Sequence, residues 1–286
     1  MKKLLVVGAK GMAGHVVKTY LNELGTYEIW GMARGAEDGK NFIQLDVSNT
    51  EKLEEILENQ KFDVVINCIG LLNKTAEDSP DQAIFFNSYF PHFLSSLGKK
   101  FGFNLIHIST DCVFSGKEGG YREDSFKNGI GFYAQSKALG EVINDRDLTI
   151  RTSIIGPELK SDGIGLFHWF INQTNPISGY KEAYWTGVTT IELAKAIHEA
   201  INQELKGLYH LVNGDKIAKY DLLKLFNQTF KENKIPIEGK SDYKVDKSLV
   251  NSRSDFNYEV PSYEAMIEHM KIWMVNHSSF YTHYTF

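Results

Sequence analysis

The feature that most constrains the fold is a glycine-rich stretch near the N-terminus. A short apolar run at 4–7 is followed by Gly8, Gly11 and Gly14 at three-residue spacing, and then by an amphipathic segment to about Leu24. A buried strand, a glycine turn and a helix in this order begin a dinucleotide-binding unit. In such a unit Gly8 permits the sharp turn, Gly11 leaves room for a pyrophosphate, and Gly14 lets the helix pack on the sheet. A plain strand-to-helix turn without a ligand is the alternative.

Composition and charge narrow the class of protein. The chain has 286 residues, 42% of them hydrophobic, which suits one large α/β domain or a domain with a small lobe. No apolar run has the length of a membrane span and no secretion signal is evident, so we expect a cytoplasmic protein with no membrane partner. The formal net charge of −5 argues against nucleic-acid binding. Two cysteines and nine scattered histidines indicate neither a disulfide framework nor a metal site.

Strand and helix patterns alternate along the chain. Short apolar runs predict further strands at 27–32, 41–45, 62–66, 104–108 and 148–152. Helical spacing predicts helices at 51–59, 80–99, 131–141, 191–203 and 220–231. This alternation predicts an α/β fold with a doubly wound parallel sheet, the Rossmann type, in which ligands bind at the carboxyl ends of the strands.

The residue after the second strand bears on the choice of cofactor. Arg34 follows the strand at 27–32, whereas Glu37 and Asp38 lie further into the loop. In dinucleotide folds an acid near the end of this strand binds the ribose 2′-OH, and an arginine suits a 2′-phosphate. The sequence therefore predicts NADPH, with NADH as the alternative. A solvated loop arginine without a ligand is the competing interpretation.

A helix near the middle of the chain carries the predicted chemistry. Tyr133 and Lys137 are four residues apart, so both side chains share one helix face. A free phenol has a pKa of about 10, and a neighbouring ammonium stabilises its phenolate. Thr110, after the strand at 104–108, can donate a hydrogen bond to a substrate carbonyl. Tyr-x-x-x-Lys pairs are also common on surface helices, but the glycine turn upstream favours a catalytic set.

These motifs resemble those of the extended branch of the short-chain dehydrogenase/reductases. The glycine spacing, the pair Asp46-Val47 and the set Thr110, Tyr133 and Lys137 match that branch. Within it the chain is most similar to the dTDP-4-dehydrorhamnose reductase family. The matching stretches are 109–114, 133–141, 151–153 and 187–190, with looser matches at 207–211 and 251–253. The resemblance implies NAD(P)H-dependent reduction of the 4-keto group of a nucleotide-linked 6-deoxyhexose, supplying a deoxysugar for cell-surface polysaccharide.

The motifs and the resemblance together identify candidate binding residues. For the cofactor these are Gly8, Gly11, Met12, Ala13, Gly14, Arg34, Asp46, Val47, Gly70, Leu71, Leu72, Tyr133 and Lys137. For the nucleotide-sugar substrate they are Thr110, Asp111, Tyr133, Ser153, Trp185 and Arg253, with Lys181 as a further candidate. A core aromatic and solvated charges are the alternatives for Trp185, Lys181 and Arg253. We expect residues 1–155 to bind the dinucleotide and 156–286 to form mostly a smaller C-terminal substrate lobe, with the return of strands or helices to the main sheet left open.

Three departures from the family pattern leave the substrate open. Cys112 stands where the family has tyrosine, 154–156 where it has a tryptophan-containing stretch, and 68–69 where it has Ala-Ala. These positions lie near the expected substrate pocket, so the nucleotide base and the hexose are not determined. The aromatic stretch 277–286 has no clear period, and disorder and a partner contact are both open, as are monomer and homodimer.

Three other functions compete with the 4-keto reductase. A sugar-nucleotide 4-epimerase uses the same tyrosine and lysine but retains its cofactor tightly. A 4,6-dehydratase needs an Asp-Glu pair directly after the threonine, and Cys112 replaces that glutamate. A catalytically silent regulatory subunit on the same fold often loses the tyrosine or lysine, and both are intact here.

Overall fold

Twelve strands and ten helices are present in a computed structural model that describes residues 1–36 and 39–285. The strands are β1 Lys2–Val7, β2 Tyr27–Ala33, β3 Phe42–Gln44, β4 Val64–Asn67, β5 Asn104–Thr110, β6 Leu148–Thr152, β7 Ile154–Ile155, β8 Ile177–Trp185, β9 Val188–Thr189, β10 Gly207–His210, β11 Ile217–Ala218 and β12 Ile237–Asp246. The helices are α1 Met12–Glu23, α2 Thr50–Gln60, α3 Asn73–Asp78, α4 Pro80–Ala83, α5 Phe90–Phe101, α6 Phe132–Leu139, α7 Leu166–Ile171, α8 Thr190–Asn202, α9 Lys219–Lys231 and α10 Tyr263–Asn276. Among these residues no helix has the length and apolarity that a membrane span requires.

Seven strands form the central parallel sheet, in the order β10-β6-β5-β4-β1-β2-β3. The pairings from β1 outward are all parallel, which confirms the predicted doubly wound fold. The strand order reverses between β1 and β4, and ligands of such sheets bind in the crevice at this reversal. The alternating side chains of β1 explain its central position. Leu4 and Val6 enter the core on one face of the sheet, and Leu5 and Val7 enter the core on the other face.

The glycine turn after β1 has the geometry that the sequence predicts. Gly8 has φ +83°, a backbone conformation that residues with a side chain rarely adopt. A Cβ on Gly14 would lie 2.1 Å from the carbonyl oxygen of Gly8, so α1 approaches the turn at a distance that only glycine allows. The turn is closed by the Gly11 N–H, which donates to the Gly8 carbonyl at 2.9 Å.

The C-terminal half contributes strands to two sheets. Strand β10 extends the central sheet beside β6, and α8 packs against α1. Both elements follow residue 155, so part of the C-terminal half returns to the main sheet. A separate three-stranded sheet, in the order β11-β8-β12, also lies in the C-terminal half.

The predicted helix at 80–99 is interrupted. A π-helical turn, Ile84–Tyr89, separates α4 from α5 and carries the fully buried Asn87. Helix α6 packs against this turn so closely that a Cβ on Gly140 would lie 1.7 Å from the Asn87 carbonyl oxygen. The helical period alone does not reveal the extra residue in this turn, because the apolar positions on both sides keep their spacing.

Candidate active site

Two cavities lie at the carboxyl edge of the sheet. The larger has a volume of about 600 Å³, extends from the glycine turn to the ends of β2 and β4, and is the size of a small-ligand pocket. Seven of the predicted cofactor residues line it: Gly8, Gly11, Arg34, Asp46, Val47, Gly70 and Leu71. The smaller, about 290 Å³, lies against Tyr133 and Cys112. Met12, Ala13 and Gly14 begin α1 beside the larger cavity without lining it, and Leu72 is an exposed residue before α3.

Three cations line the larger cavity. Arg34 follows β2, and Lys10 reaches the same loop from the glycine turn, where its Nζ donates to the Ala36 carbonyl at 2.9 Å. Lys160 joins them from the C-terminal half. Glu37 and Asp38, the acids of this loop, lie outside the described residues.

Asp46 shapes the opposite wall of this cavity. Its carboxylate accepts the N–H of Ser48 at 3.0 Å and the Ser48 hydroxyl at 2.8 Å. These hydrogen bonds are the main reason that the pKa of Asp46 lies below its usual value, so the group is a fixed anion. The bonds hold the Asp46-Val47 turn at the start of α2.

The segment after β4 is held by a side chain of the π-helical turn. Asn87 accepts the N–H of Leu71 at 2.8 Å and donates to the Leu71 carbonyl at 2.9 Å, as a strand partner would. Asn87 also donates to the Ser136 hydroxyl of α6 at 3.1 Å. One buried amide therefore couples the wall of the larger cavity to the helix that carries Tyr133 and Lys137.

Lys137 is buried beneath this wall. Its Nζ donates to the Ile108 carbonyl at 2.7 Å and lies 3.4 Å from His107 Nε2. A Cβ on Gly70 would be 4.0 Å from the same nitrogen, so the ammonium borders the larger cavity. Burial lowers the pKa of Lys137 to about 8, against the charges of Glu141 and Cys68, which raise it. Burial likewise holds the pKa of His107 well below its usual value, so the imidazole is neutral at pH 7.

Tyr133 faces the smaller cavity from the same helix. Its backbone N–H donates to Glu77 at 3.2 Å. Burial raises the pKa of Tyr133 above its usual value, and the Thr110 side chain opposes that shift. The expectation that Lys137 lowers this pKa is wrong for this structure, because the lysine is directed to Ile108 and His107. Tyr133 is therefore a protonated phenol near neutral pH.

The residues directly after Thr110 form a short 3₁₀ turn. The Thr110 hydroxyl lies 3.1 Å from an Asp111 carboxylate oxygen and accepts the N–H of Cys112 at 3.1 Å. Burial is the main cause that raises the pKa of Asp111, and it also raises the pKa of the Cys112 thiol to about 11. A neutral thiol is a poor base at pH 7.

A buried ion pair links the end of α6 to the sheet. Arg151 of β6 donates to both carboxylate oxygens of Glu141, at 2.7 and 2.6 Å, and Ser109 donates to the same carboxylate at 2.7 Å. Both charged side chains are almost fully buried. A bidentate pair of this kind restricts orientation as well as adding binding energy. The pair and Ser109 join 109–114, 133–141 and 151–153, which are three of the stretches that match the family pattern.

The predicted substrate residues do not all meet at the smaller cavity. Tyr133 lines it, with Thr110 and Asp111 beside it, and Ser153 lies half-buried between β6 and β7. Trp185 is buried in the core against Tyr263 and does not line either cavity.

The two charged candidates lie elsewhere. Arg253 donates to the carbonyls of Lys206 and Leu208 near the start of β10, away from the carboxyl edge, and pairs with Asp255. Lys181 is an exposed residue of β8 with its Nζ over the ring of Tyr220. In Arg253 and Lys181 the structure shows the solvated or surface-paired charges that were the alternatives.

Several lining residues were not identified from the sequence. In the smaller cavity these are Asn73, Glu77, Phe114, Ser115, Ile130, Ala134 and Lys247. In the larger cavity Lys10 and Lys160 belong to the same group. A lysine inside the glycine motif was a readable signal for Lys10, whereas Lys160 and Lys247 reach the site from distant loops. Among the described residues no cluster of three or more histidines, cysteines and acids could hold a metal ion.

Comparisons with known proteins identify what the chain is similar to. The family model described as the RmlD substrate binding domain matches residues 1–254. A dTDP-4-dehydrorhamnose reductase from Aggregatibacter actinomycetemcomitans is 28% identical over 159 residues, which cover 54% of this chain and 51% of that protein. Methionine adenosyltransferase 2 subunit beta from Xenopus tropicalis is 22% identical over 235 residues, 77% of this chain and 70% of that protein.

The fold also matches solved structures. The crystal structure of a dTDP-4-dehydrorhamnose reductase from Bacillus anthracis in complex with NADP gives a TM-score of 0.82. The match covers 96% of this chain and 100% of that chain, at 22% sequence identity. At this identity the likeness establishes the fold.

Proposed function

Because this chain belongs to the RmlD substrate-binding domain family, we propose that it reduces the 4-keto group of a nucleotide-linked 4-keto-6-deoxyhexose with NADPH. One observation carries the proposal: α6 places Lys137 directly behind Gly70 in the wall of the larger cavity and Tyr133 in the lining of the smaller cavity. A reductase needs a proton donor beside its substrate and a cation beside its cofactor, and one helix supplies both. The relative from Aggregatibacter actinomycetemcomitans is named as a reductase of a nucleotide-linked sugar of this class. The product would supply a deoxysugar for cell-surface polysaccharide.

The residues divide the proton chemistry among themselves. When bound, NADPH supplies the hydride that reduces C4. Tyr133 donates the proton to the keto oxygen, and its raised pKa keeps that proton available at neutral pH. Thr110, whose hydroxyl lies at the 3₁₀ turn beside the smaller cavity, orients the same oxygen. Lys137 holds the ribose hydroxyls of the cofactor, and Asp46-Val47 holds its adenine.

The charges of the larger cavity support NADPH. Lys10, Arg34 and Lys160 line one cavity, and a 2′-phosphate adds negative charge that cations of this kind bind through charge-assisted hydrogen bonds. Asp46 is the fixed anion of the described lining, and its carboxylate is already occupied by Ser48. NADH would leave the cations without that partner.

The smaller cavity supports a polar, partly anionic substrate. Lys247 contributes a positive charge and Asn73 an amide, while the Glu77 carboxylate accepts the backbone N–H groups of Phe132 and Tyr133. These residues, rather than Trp185 and Arg253, are our candidates for sugar-nucleotide recognition. We place the activity in the cytoplasm and include neither nucleic acid nor membrane among its partners; a homodimer and a monomer both fit the proposal.

A second candidate is a regulatory subunit. The similarity to subunit beta of methionine adenosyltransferase 2 favours it, since the match spans 77% of this chain. The intact Tyr133 and Lys137 favour the enzyme. A 4,6-dehydratase is disfavoured because the thiol of Cys112, with a pKa of about 11, replaces the required base.

The test is a panel of dTDP-, UDP- and GDP-linked 4-keto-6-deoxyhexoses, each mixed with the purified protein and NADPH. A reductase oxidises NADPH only when a keto sugar is added, and the accepted base identifies the nucleotide. An epimerase carries bound NAD and needs none added. NADPH that stays unoxidised with every sugar contradicts the proposal and favours the regulatory subunit.

A further inference from the structure

The aromatic segment 281–284 packs against two elements that adjoin the larger cavity. After α10, residues 278–280 form a 3₁₀ turn, and Tyr281 and Tyr284 are buried in the main core. Tyr281 contacts the first turns of α1, and Tyr284 contacts the loop that carries Lys160. Phe286 lies outside the described residues. One short segment therefore contacts two elements that adjoin the same cavity, since Gly11 directly before α1 and Lys160 in the loop both line it.

The contact with α1 is a hydrogen-bond chain whose direction is fixed. The Gly11 carbonyl can only accept, so His15 Nδ1, at 2.8 Å from it, carries the proton. Burial lowers the pKa of His15 to about 4, so the ring is neutral and its Nε2 accepts. Tyr281 donates to that Nε2 at 2.8 Å, and Trp273 Nε1 donates to the Tyr281 oxygen at 2.9 Å.

The chain ends on the middle glycine of the cofactor motif. Gly11 lines the larger cavity, and its carbonyl already accepts the backbone N–H of His15 at 3.1 Å. A second donor on that oxygen restrains the peptide between Gly11 and Met12, whose orientation sets the first amide groups of α1. Helix N-terminal amides of this kind bind phosphates.

The second contact holds the Lys160 loop. The Tyr284 hydroxyl accepts the N–H of Glu158 at 3.1 Å and is paired with His168 Nδ1 at 2.7 Å. Glu158 in turn accepts the N–H of Gly165 at 2.7 Å, which closes the loop on itself. Lys160, two residues after Glu158, is thereby held at the cavity.

We propose that the segment 281–284 is a positioning element of the cofactor cavity, which holds Gly11 through Tyr281 and His15 and holds Lys160 through Tyr284. The role of NADPH in this inference rests on the proposed function. The restraint on the glycine turn does not, and it can be measured without any cofactor.

The chain contains a matched control. The Tyr27 hydroxyl forms a hydrogen bond of 2.8 Å with His198 Nδ1. The two rings meet edge-on with centroids 5.6 Å apart. The rings of His15 and Tyr281 meet in the same way at 5.8 Å. Tyr27 pairs with Lys2 at the amino ends of the strands, at the opposite edge of the sheet from the cavity. Tyr27→Phe therefore removes the same kind of bond at a distance from the site.

The first measurement is amide hydrogen exchange of the cofactor-free protein. Tyr281→Phe should raise exchange in peptides covering 8–16, and Tyr284→Phe should raise it in peptides covering 157–166. Tyr27→Phe should raise neither. Unchanged exchange over 8–16 in Tyr281→Phe, or an equal rise in Tyr27→Phe, overturns the proposal.

The second measurement is NADPH binding with steady-state kinetics. Tyr281→Phe should raise the Kd and KM for NADPH about three- to tenfold, the scale of one neutral hydrogen bond, while kcat at saturating NADPH changes less than twofold. His15→Asn, which keeps a donor for the Gly11 carbonyl, should bind NADPH more tightly than His15→Leu. Equal affinity of all these variants and the unmodified protein overturns the inference, whereas failure of the unmodified protein to bind NADPH or NADH counts against the proposed function alone.

Discussion

The two cavities at the carboxyl edge are built from different parts of the chain. The walls of the larger come mainly from turns that directly follow β1, β2, β3 and β4, and of the described residues in the C-terminal half only Lys160 reaches it. The walls of the smaller come from segments near 73–77, 112–115, 130–134 and 247, which no single pair of elements brings together. The order of the strands therefore fixes the larger cavity, whereas loops from separate parts of the chain form the smaller cavity.

The largest effect should come from the proposed proton donor of the smaller cavity. Tyr133→Phe removes the proton donor with little change in volume, so kcat should fall by a factor on the order of 100 or more. The Kd for NADPH should stay the same, because the phenol faces the smaller cavity. Steady-state reduction and NADPH titration test both parts, with Tyr27→Phe as the control. A near-normal kcat means that the proton comes from another group.

The next effect should be confined to the larger cavity. Arg34→Ala removes a charge-assisted contact worth roughly 1.5–3 kcal/mol, so the preference for NADPH over NADH should fall about tenfold or more. Lys52→Ala, which removes an exposed lysine paired with Glu55, serves as the control. The ratio of kcat/KM for the two cofactors is the measurement. Equal values for NADH and NADPH in the unmodified protein contradict this assignment.

A matching substitution should affect only the smaller cavity. Lys247→Ala should raise the KM for the sugar nucleotide about tenfold, the scale of one charge-assisted hydrogen bond, and leave the Kd for NADPH unchanged. Lys216→Ala is the control, since Lys216 pairs with Asp246 next to Lys247 and does not line the cavity. An equal loss in both variants would assign the effect to the folding of this segment.

The smallest effect is a pH dependence of cofactor binding. The pKa of Lys137 is about 8, so the ammonium is present below that pH and is lost as the pH rises through it. NADPH affinity should therefore fall a few-fold between about pH 7 and 9 as the charge at the ribose site disappears. Titrations across this range in the unmodified protein and in Lys137→Met test it, because the variant has no charge to lose. A flat profile in the unmodified protein contradicts the assigned role of Lys137.

The sequence predicts the cofactor side far better than the substrate side, and the reason is physical. Strand β1, the glycine turn and the pair Tyr133 and Lys137 depend on local spacing, so the pattern of the chain reveals them. Lys247 follows the exposed strand β12, and its approach to Cys112 depends on how the small lobe packs on the sheet. No local period carries that information.

The same distinction explains two errors at the level of single groups. The helical spacing correctly placed Tyr133 and Lys137 on α6, but it could not show that Lys137 donates to Ile108 instead of shifting the pKa of the phenol. The π-helical turn around Asn87 was likewise not predicted, because the helical spacing of the apolar residues does not reveal it. Burial and hydrogen-bond partners, which decide both features, are properties of the folded chain.

In the proposed reaction, hydride passes from the nicotinamide to C4 of the sugar across the boundary between the two cavities. NADPH that carries deuterium at both positions of nicotinamide C4, reacted with the keto sugar that the panel identifies, tests this transfer. The product should carry one deuterium, located at hexose C4, and the Tyr133→Phe protein should form it much more slowly. A product without deuterium at C4 would rule out transfer from the added NADPH, because the hydride would then have come from a cofactor that the protein retains or from another source.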